Sequence, residues 1–166
     1  MSLFTRKKHL RRSVNVYPIE LLATYIINRC NELDIRINNL RLQKLLYLVQ
    51  REFIVFSRKH QHCFNNRVEM WELGPTYACV YYTYSKYDNQ PIPTQTLVRT
   101  LTGCNEYYYC SSMIDPIDQL IIDYVLQTYG NLSTCSLIAL TKDCARIQSK
   151  RKYSRGTSVQ YLVANN

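Results

Sequence analysis

The chain's 166 residues, 46% hydrophobic, 12% aromatic and 20% charged, suffice for the core of one domain and exclude wholesale disorder. Four Gly and five Pro leave little material for a long linker or a second domain. The formal net charge of +9 is unevenly spread: ten Lys or Arg face eleven Asp or Glu between Ser13 and Thr141, so the excess lies at the ends. The opening stretch holds Arg6, Lys7, Lys8, Arg11 and Arg12 with no acid, and the closing one holds Lys142, Arg146, Lys150, Arg151, Lys152 and Arg155 against Asp143 alone. The expected organisation is a basic arm over 1–14, a helical domain over 15–141 and a basic segment over 142–166. Arg6, Lys7, Lys8, Arg11, Arg12, Lys150, Arg151, Lys152 and Arg155 are candidates for contact with nucleic acid or an acidic surface. The alternative is a pair of solvated ends that keep the protein soluble.

In chain order, Ile19, Leu22, Ala23, Ile26 and Cys30 recur at helical spacing behind Pro18, which suits a first turn. A second helix follows, capped by Asn38 or Asn39, with Leu42, Leu45, Leu46, Val49, Phe53 and Phe56 on one face. Its opposite side carries Lys44, Tyr47, Arg51 and Arg58 together with Leu40 and Leu48. A plain solvated face holds few large apolar groups, so either a second layer of the fold covers this side or a partner does. Tyrosine and arginine amid apolar groups are the usual material of binding hot spots, which makes Leu40, Lys44, Tyr47, Leu48 and Arg51 candidate partner contacts.

Trp71 falls in a short extended piece, and Gly74-Pro75 then punctuates the chain, with Pro75 suited to a first helical position. Propensity over 75–87 favours a strand. Spacing favours a helix, on which Tyr77, Tyr81 and Tyr84 form a stripe that joins the candidate contacts. Thr102-Gly103-Cys104-Asn105 separates two β-prone runs, predicting a small hairpin around 97–110. Asp115-Pro116 opens a helix with Ile117, Leu120, Ile121 and Tyr124 on one face, ending near Gly130. Ser133 can cap a shorter helix through Leu140, and 158–163 reads equally as helix or strand.

Chemistry is sparse along this chain. No Gly-rich phosphate loop, nucleophile elbow or HExxH pattern occurs, and the three histidines stand in polar segments without a nucleophile. Asp115 with Asp118, and Glu69 with Glu72, read as helix-start and loop residues. Neither enzymatic activity nor a cofactor is expected. Seven cysteines (Cys30, Cys63, Cys79, Cys104, Cys110, Cys135 and Cys144) lack paired spacing and read as free, mostly buried thiols of a reducing cytosol. His60-Gln61-His62-Cys63 has soft-metal ligands but no spaced partner pair, so it reads as a polar loop and no metal is expected. No apolar run is long enough to span a bilayer, and none of signal-peptide length follows the basic start. Residues 116–141 have helix-turn-helix dimensions, yet Thr134-Cys135-Ser136-Leu137-Ile138-Ala139-Leu140 offers no Arg, Asn or Gln to read base edges.

Two segments remain to be absorbed: Ile37-Asn38-Asn39-Leu40-Arg41-Leu42-Gln43-Lys44-Leu45-Leu46-Tyr47, and Glu69-Met70-Trp71-Glu72-Leu73-Gly74-Pro75 followed by Tyr81 and Tyr84. In order and gap they resemble the signatures of the Panacea (SocA-like antitoxin) family, roughly I-T-N-L-K-L-Q-K-L-L-Y and E-x-W-x-x-G-P-V before a tyrosine-bearing helix. Leu42, Leu45, Leu46, Trp71, Gly74 and Pro75 are the signature positions with a structural role. The likeness extends over 18–141 and closes on Tyr129-Gly130-Asn131-Leu132-Ser133, Leu137 and Thr141. There the chain departs: where the family commonly has His and then Trp, Lys142 follows and no second Trp exists. The resemblance implies a helix over 75–87 and a mainly α fold, a compact single-domain bundle with the small hairpin at 97–110. It also implies a cytoplasmic protein of a bacterial host that acts by contact, an antitoxin neutralising a cognate toxin by direct complex formation or delivering it to a protease. Because the family is common on phages and mobile elements, the alternative is a counter-defence, anti-CRISPR-like inhibitor of a bacterial nucleoprotein effector. A helix-turn-helix-like nucleic-acid-binding regulator is a second alternative.

Overall fold

An asparagine starts the helix around which everything else is arranged. In a computed structural model of the chain, which describes residues 15–57, 61–101, 103 and 106–153, Asn38 is extended and its side chain accepts from the Arg41 amide at 3.0 Å. That bond satisfies one of the amides a helix leaves open at its start. Helix α2 then runs Asn39–Phe56. Leu42, Leu45, Leu46, Val49 and Phe53 are buried on the expected face, and Phe56 is half-buried with its edge towards Tyr124. The opposite side is buried too, including Lys44, Tyr47 and Leu48. A helix buried on both sides over most of its length, with only Val55 near its end exposed, is the centre of a bundle and not one of its walls.

Helix α1 (Ile19–Glu32) starts behind Pro18 and packs beside α2. It stops where Asp34 turns left-handed at φ 55°, a conformation Asp tolerates better than most residues, and Ile35 N then donates to Cys30 O at 2.8 Å. Strands β1 (Glu69–Trp71) and β2 (Gly74–Thr76) form an antiparallel hairpin pairing Glu69 with Thr76 and Trp71 with Gly74. Short helix α3 (Ala78–Thr83) and a 3₁₀ turn at Ser85–Tyr87 come next. Pro75 therefore lies in a strand and does not open a helix. The reason is in α2: Gln43 Oε1 accepts from Tyr77 N at 2.9 Å and Lys44 Nζ donates to Pro75 O at 2.9 Å, which holds this backbone extended until Ala78.

The expected hairpin is present as β3 (Leu97–Val98) and β4 (Tyr107–Tyr108), antiparallel with Leu97 opposite Tyr108. Helix α4 (Pro116–Tyr129) begins where Asp115 accepts from Ile117 N at 2.8 Å. Its inner face is Asp118, Ile122, Val125 and Leu126, whereas Leu120 is 65% exposed and Ile117, Ile121 and Tyr124 are half-buried. The expected face is thus turned outwards, because Asp118 goes inside. Its carboxylate accepts from Tyr17 Oη at 2.7 Å and from Asn15 Nδ2 at 3.1 Å, tying the start of the described chain to α4. Gly130 packs against Ile35, where an added Cβ would lie 2.8 Å from Cδ1.

Ser133 does cap the last helix, accepting from Ser136 N at 3.1 Å, but α5 runs on to Tyr153 (Thr134–Tyr153). Leu137, Thr141 and Ala145 bury at intervals of four against the bundle, so the helix continues across the expected boundary at 141. The fold is a mainly helical bundle of five helices with two small antiparallel hairpins among the described residues. The cysteines divide evenly: Cys30 and Cys63 are buried, Cys79 and Cys144 intermediate, Cys110 and Cys135 exposed, and Cys104 lies outside the described residues. Residues 158–163 also lie outside them.

Candidate partner-binding surface

The side of α2 proposed as a contact face is roofed by α5. Tyr47 is 5% exposed and its hydroxyl donates to Gln148 Oε1 at 2.8 Å. Arg51 Nη1 reaches Cys144 Sγ at 3.1 Å, Leu48 is fully buried, and Leu40 is half-buried. The second layer of the fold covers this face, as one of the two readings had it. Of the tyrosines, Tyr77 is core, set edge-on to Phe64 at 5.0 Å between centroids, and Tyr84 is core beside Thr24, with 3.5 Å between their hydroxyl oxygens. Tyr81 keeps part of its surface.

The signature residues meet at one buried point. Gly74 has φ +95°, open to glycine at little cost, and a Cβ there would stand 3.1 Å from Lys142 Cγ and 3.6 Å from Lys44 Nζ and Thr141 Oγ1. Lys44 has no exposed surface, donates to Pro75 O, and makes no ion pair with any described residue. Burial, followed by the charge of Lys142, lowers its pKa from 10.5 to about 8. Thr141 Oγ1 closes on its own helix through Leu137 O at 2.8 Å. This knot joins α2, the first hairpin and α5. Lys44 and Thr141 are fully buried in it, and Lys142 reaches the surface.

What the surface does present is built from the same hairpin and from α3. Trp71 packs edge-to-face on Tyr81 at 4.9 Å, and Tyr81 on Tyr82 at 5.5 Å, with Trp71 and Tyr82 6.2 Å apart. Tyr82 is 53% exposed and Leu73, in the hairpin turn, 47%. Trp71 Nε1 donates to Glu69 Oε2 at 2.8 Å, and Glu72 is exposed in the turn, so the aromatic group carries an acidic rim. Three mutually braced rings and a leucine at the surface form the kind of patch that docks a partner.

A family profile described as "Antitoxin SocA-like, Panacea domain" matches residues 42–145, which include Leu42, Leu45, Leu46, Trp71, Gly74, Pro75 and Thr141. The chain belongs to this family. It is also 32% identical over 124 residues to Antitoxin SocA of Caulobacter vibrioides (strain NA1000 / CB15N), covering 72% of this chain and 62% of that relative's length. No solved structure gives a significant match. The Panacea match spans the Lys44 knot and the aromatic hairpin, so the family signature builds the platform on which Tyr82 and Leu73 stand.

Arg6, Lys7, Lys8, Arg11, Arg12 and Arg155 lie outside the described residues, and Lys150, Arg151 and Lys152 fall in the final turns of α5. Among the described residues no three His, Cys, Asp or Glu gather as a metal site. His62 Nδ1 instead lies 3.0 Å from Gln50 Nε2, and Gln50 Oε1 accepts from Cys63 N at 2.8 Å, which fixes that loop to α2. No described helix is long and apolar enough to cross a membrane. Sequence reasoning overlooked Tyr82, which falls off the helical stripe of Tyr77, Tyr81 and Tyr84. Its neighbour Trp71, paired by the hairpin with Gly74, was the available signal.

Proposed function

We propose that this chain is an antitoxin that neutralises a cognate toxin by forming a direct complex, with no catalytic step of its own. Membership of the SocA-like family supports the class, and the relative from Caulobacter vibrioides bears the name antitoxin. The observation that carries the reading is the aromatic face that Trp71 and Leu73 of the first hairpin form with Tyr81 and Tyr82 of α3, next to a hairpin strand bonded to α2 through Lys44. A rigid aromatic platform loses little side-chain entropy on docking, and its acidic rim of Glu69 and Glu72 suits a partner whose apolar spot is ringed by cations.

Co-expression tests it. If a small reading frame lies beside this one, its product should arrest growth when expressed alone, and the present chain should restore growth. Direct neutralisation predicts equal rescue in a host lacking its ATP-dependent proteases. Rescue lost in that host would point to delivery for degradation, and rescue in neither host would remove the antitoxin reading. The basic residues at both ends favour a second reading, a counter-defence inhibitor that grips a nucleoprotein effector.

A further inference from the structure

Where the start of α2 meets the turn between α4 and α5 lies an open polar pocket of about 500 Å³, lined by none of the aromatic residues. Arg36 and Arg41 line it, together with Asn38, Asn89, Asn131 and Thr134. Arg41 is 8% exposed and fully engaged in the floor. Its Nε donates to Arg36 O at 2.9 Å, Nη1 to Leu132 O at 2.8 Å, and Nη2 to Gly130 O. Nη1 also lies 3.4 Å from Thr134 Oγ1. The guanidinium pairs with no carboxylate among the described residues and is held by neutral acceptors, two of them carbonyls at or just past the C-terminal end of α4. Burial lowers the Arg41 pKa, and the charge of Arg36 adds a smaller push in the same direction.

Arg36 is exposed and its side chain makes no ion pair with a described residue. Asp34 stands on the same lining but pairs with neither arginine, so the pocket stays net positive. Two helices begin here, α2 behind Asn38 and α5 at Thr134, while α4 ends here at Gly130, so one negative helix end offsets part of the two positive ones. A donor-rich, net-positive concavity of this size falls within the range of small-molecule sites and exceeds what a lone inorganic ion fills.

We infer that this pocket binds a small phosphomonoester of mononucleotide size, with the free guanidinium of Arg36 on the phosphate and Arg41 fixed beneath it. A phosphomonoester brings close to two negative charges and three acceptor oxygens, which matches a converging set of N–H donors better than a carboxylate does. The Asn89 and Asn131 amides, each both donor and acceptor, suit the polar remainder of such a ligand, while the Asn38 amide is engaged in capping α2 and in its bond to Asn89 O. The site is independent of the toxin-binding reading, since it lies on other elements and uses none of the aromatic face.

Titration calorimetry on the full chain tests it, using inorganic phosphate, adenosine and guanosine monophosphates, the parent nucleosides, and an oligonucleotide without a terminal phosphate. Expected is saturable binding of at least one monophosphate, with the matching nucleoside and the oligonucleotide at least tenfold weaker. Arg36→Ala and Asn131→Asp, both at exposed positions, should each weaken that binding at least tenfold while the melting temperature holds. A nucleoside or oligonucleotide that binds as tightly as the monophosphate would overturn the inference. So would undiminished affinity in both variants, or no saturable binding of phosphate or either nucleotide up to about 10 mM.

Discussion

Lys44 has an ammonium group sealed inside the protein, one hydrogen bond to Pro75 O, and a pKa held down at about 8. Below about 8 the native state bears the full penalty of a buried charge. Between there and the ordinary lysine value of 10.5, the unfolded chain binds the extra proton, so this group's contribution to stability improves as pH rises. Cys30 and Tyr17, each pushed up to about 12 chiefly by burial, act in the opposite direction at high pH. The comparison with a variant isolates the lysine. Relative to wild type, Lys44→Met should lose ground steadily as urea denaturation is repeated from about pH 7 towards pH 10. A difference between the two proteins that does not move with pH would show that Lys44 is not buried as a charge.

At the scale of elements, α2 is the part whose loss the bundle tolerates least. Leu45 is fully buried at its centre, and Leu45→Ala should cost about 2–5 kcal/mol by urea denaturation. Tyr47→Ala should lower the melting temperature, because Tyr47 is packed beneath α5 and bonded to Gln148. An unchanged midpoint in either variant would mean that the helix is oriented differently. The cap and apolar stripe of α2 were legible because Asn38 and the leucines lie within one local period. The roof over Lys44, Tyr47 and Leu48 was not, because it arrives about a hundred residues later on a stripe of Leu137, Thr141 and Ala145 too small and polar to stand out. The same distance hid the register of α4: Asp118 reads as surface until Asn15 and Tyr17 are seen to satisfy it. The tyrosine helix was shortened by Gln43 and Lys44, side chains of another element. The candidate site suffered likewise, since helical spacing picks out Tyr77 and Tyr84, which are core, and passes over Tyr82.

For the whole molecule, charge separates the two functional readings. If the toxin docks on the aromatic face, removal of residues 1–12 and 149–166 should leave its affinity nearly intact and weakly salt-dependent. If the target is a nucleoprotein, binding by the full chain should fall steeply with salt, with a log–log slope set by the phosphates neutralised, and trimming should flatten that slope. The central claim is tested most directly by measuring the affinity of Leu73→Ala/Tyr82→Ala for the toxin beside its thermal midpoint. Both residues are about half exposed, so the midpoint should hold while affinity falls about thirtyfold or more, the loss of a hot spot worth about 2 kcal/mol. Wild-type affinity in a fully folded double variant would contradict the account and place the contact elsewhere on the chain.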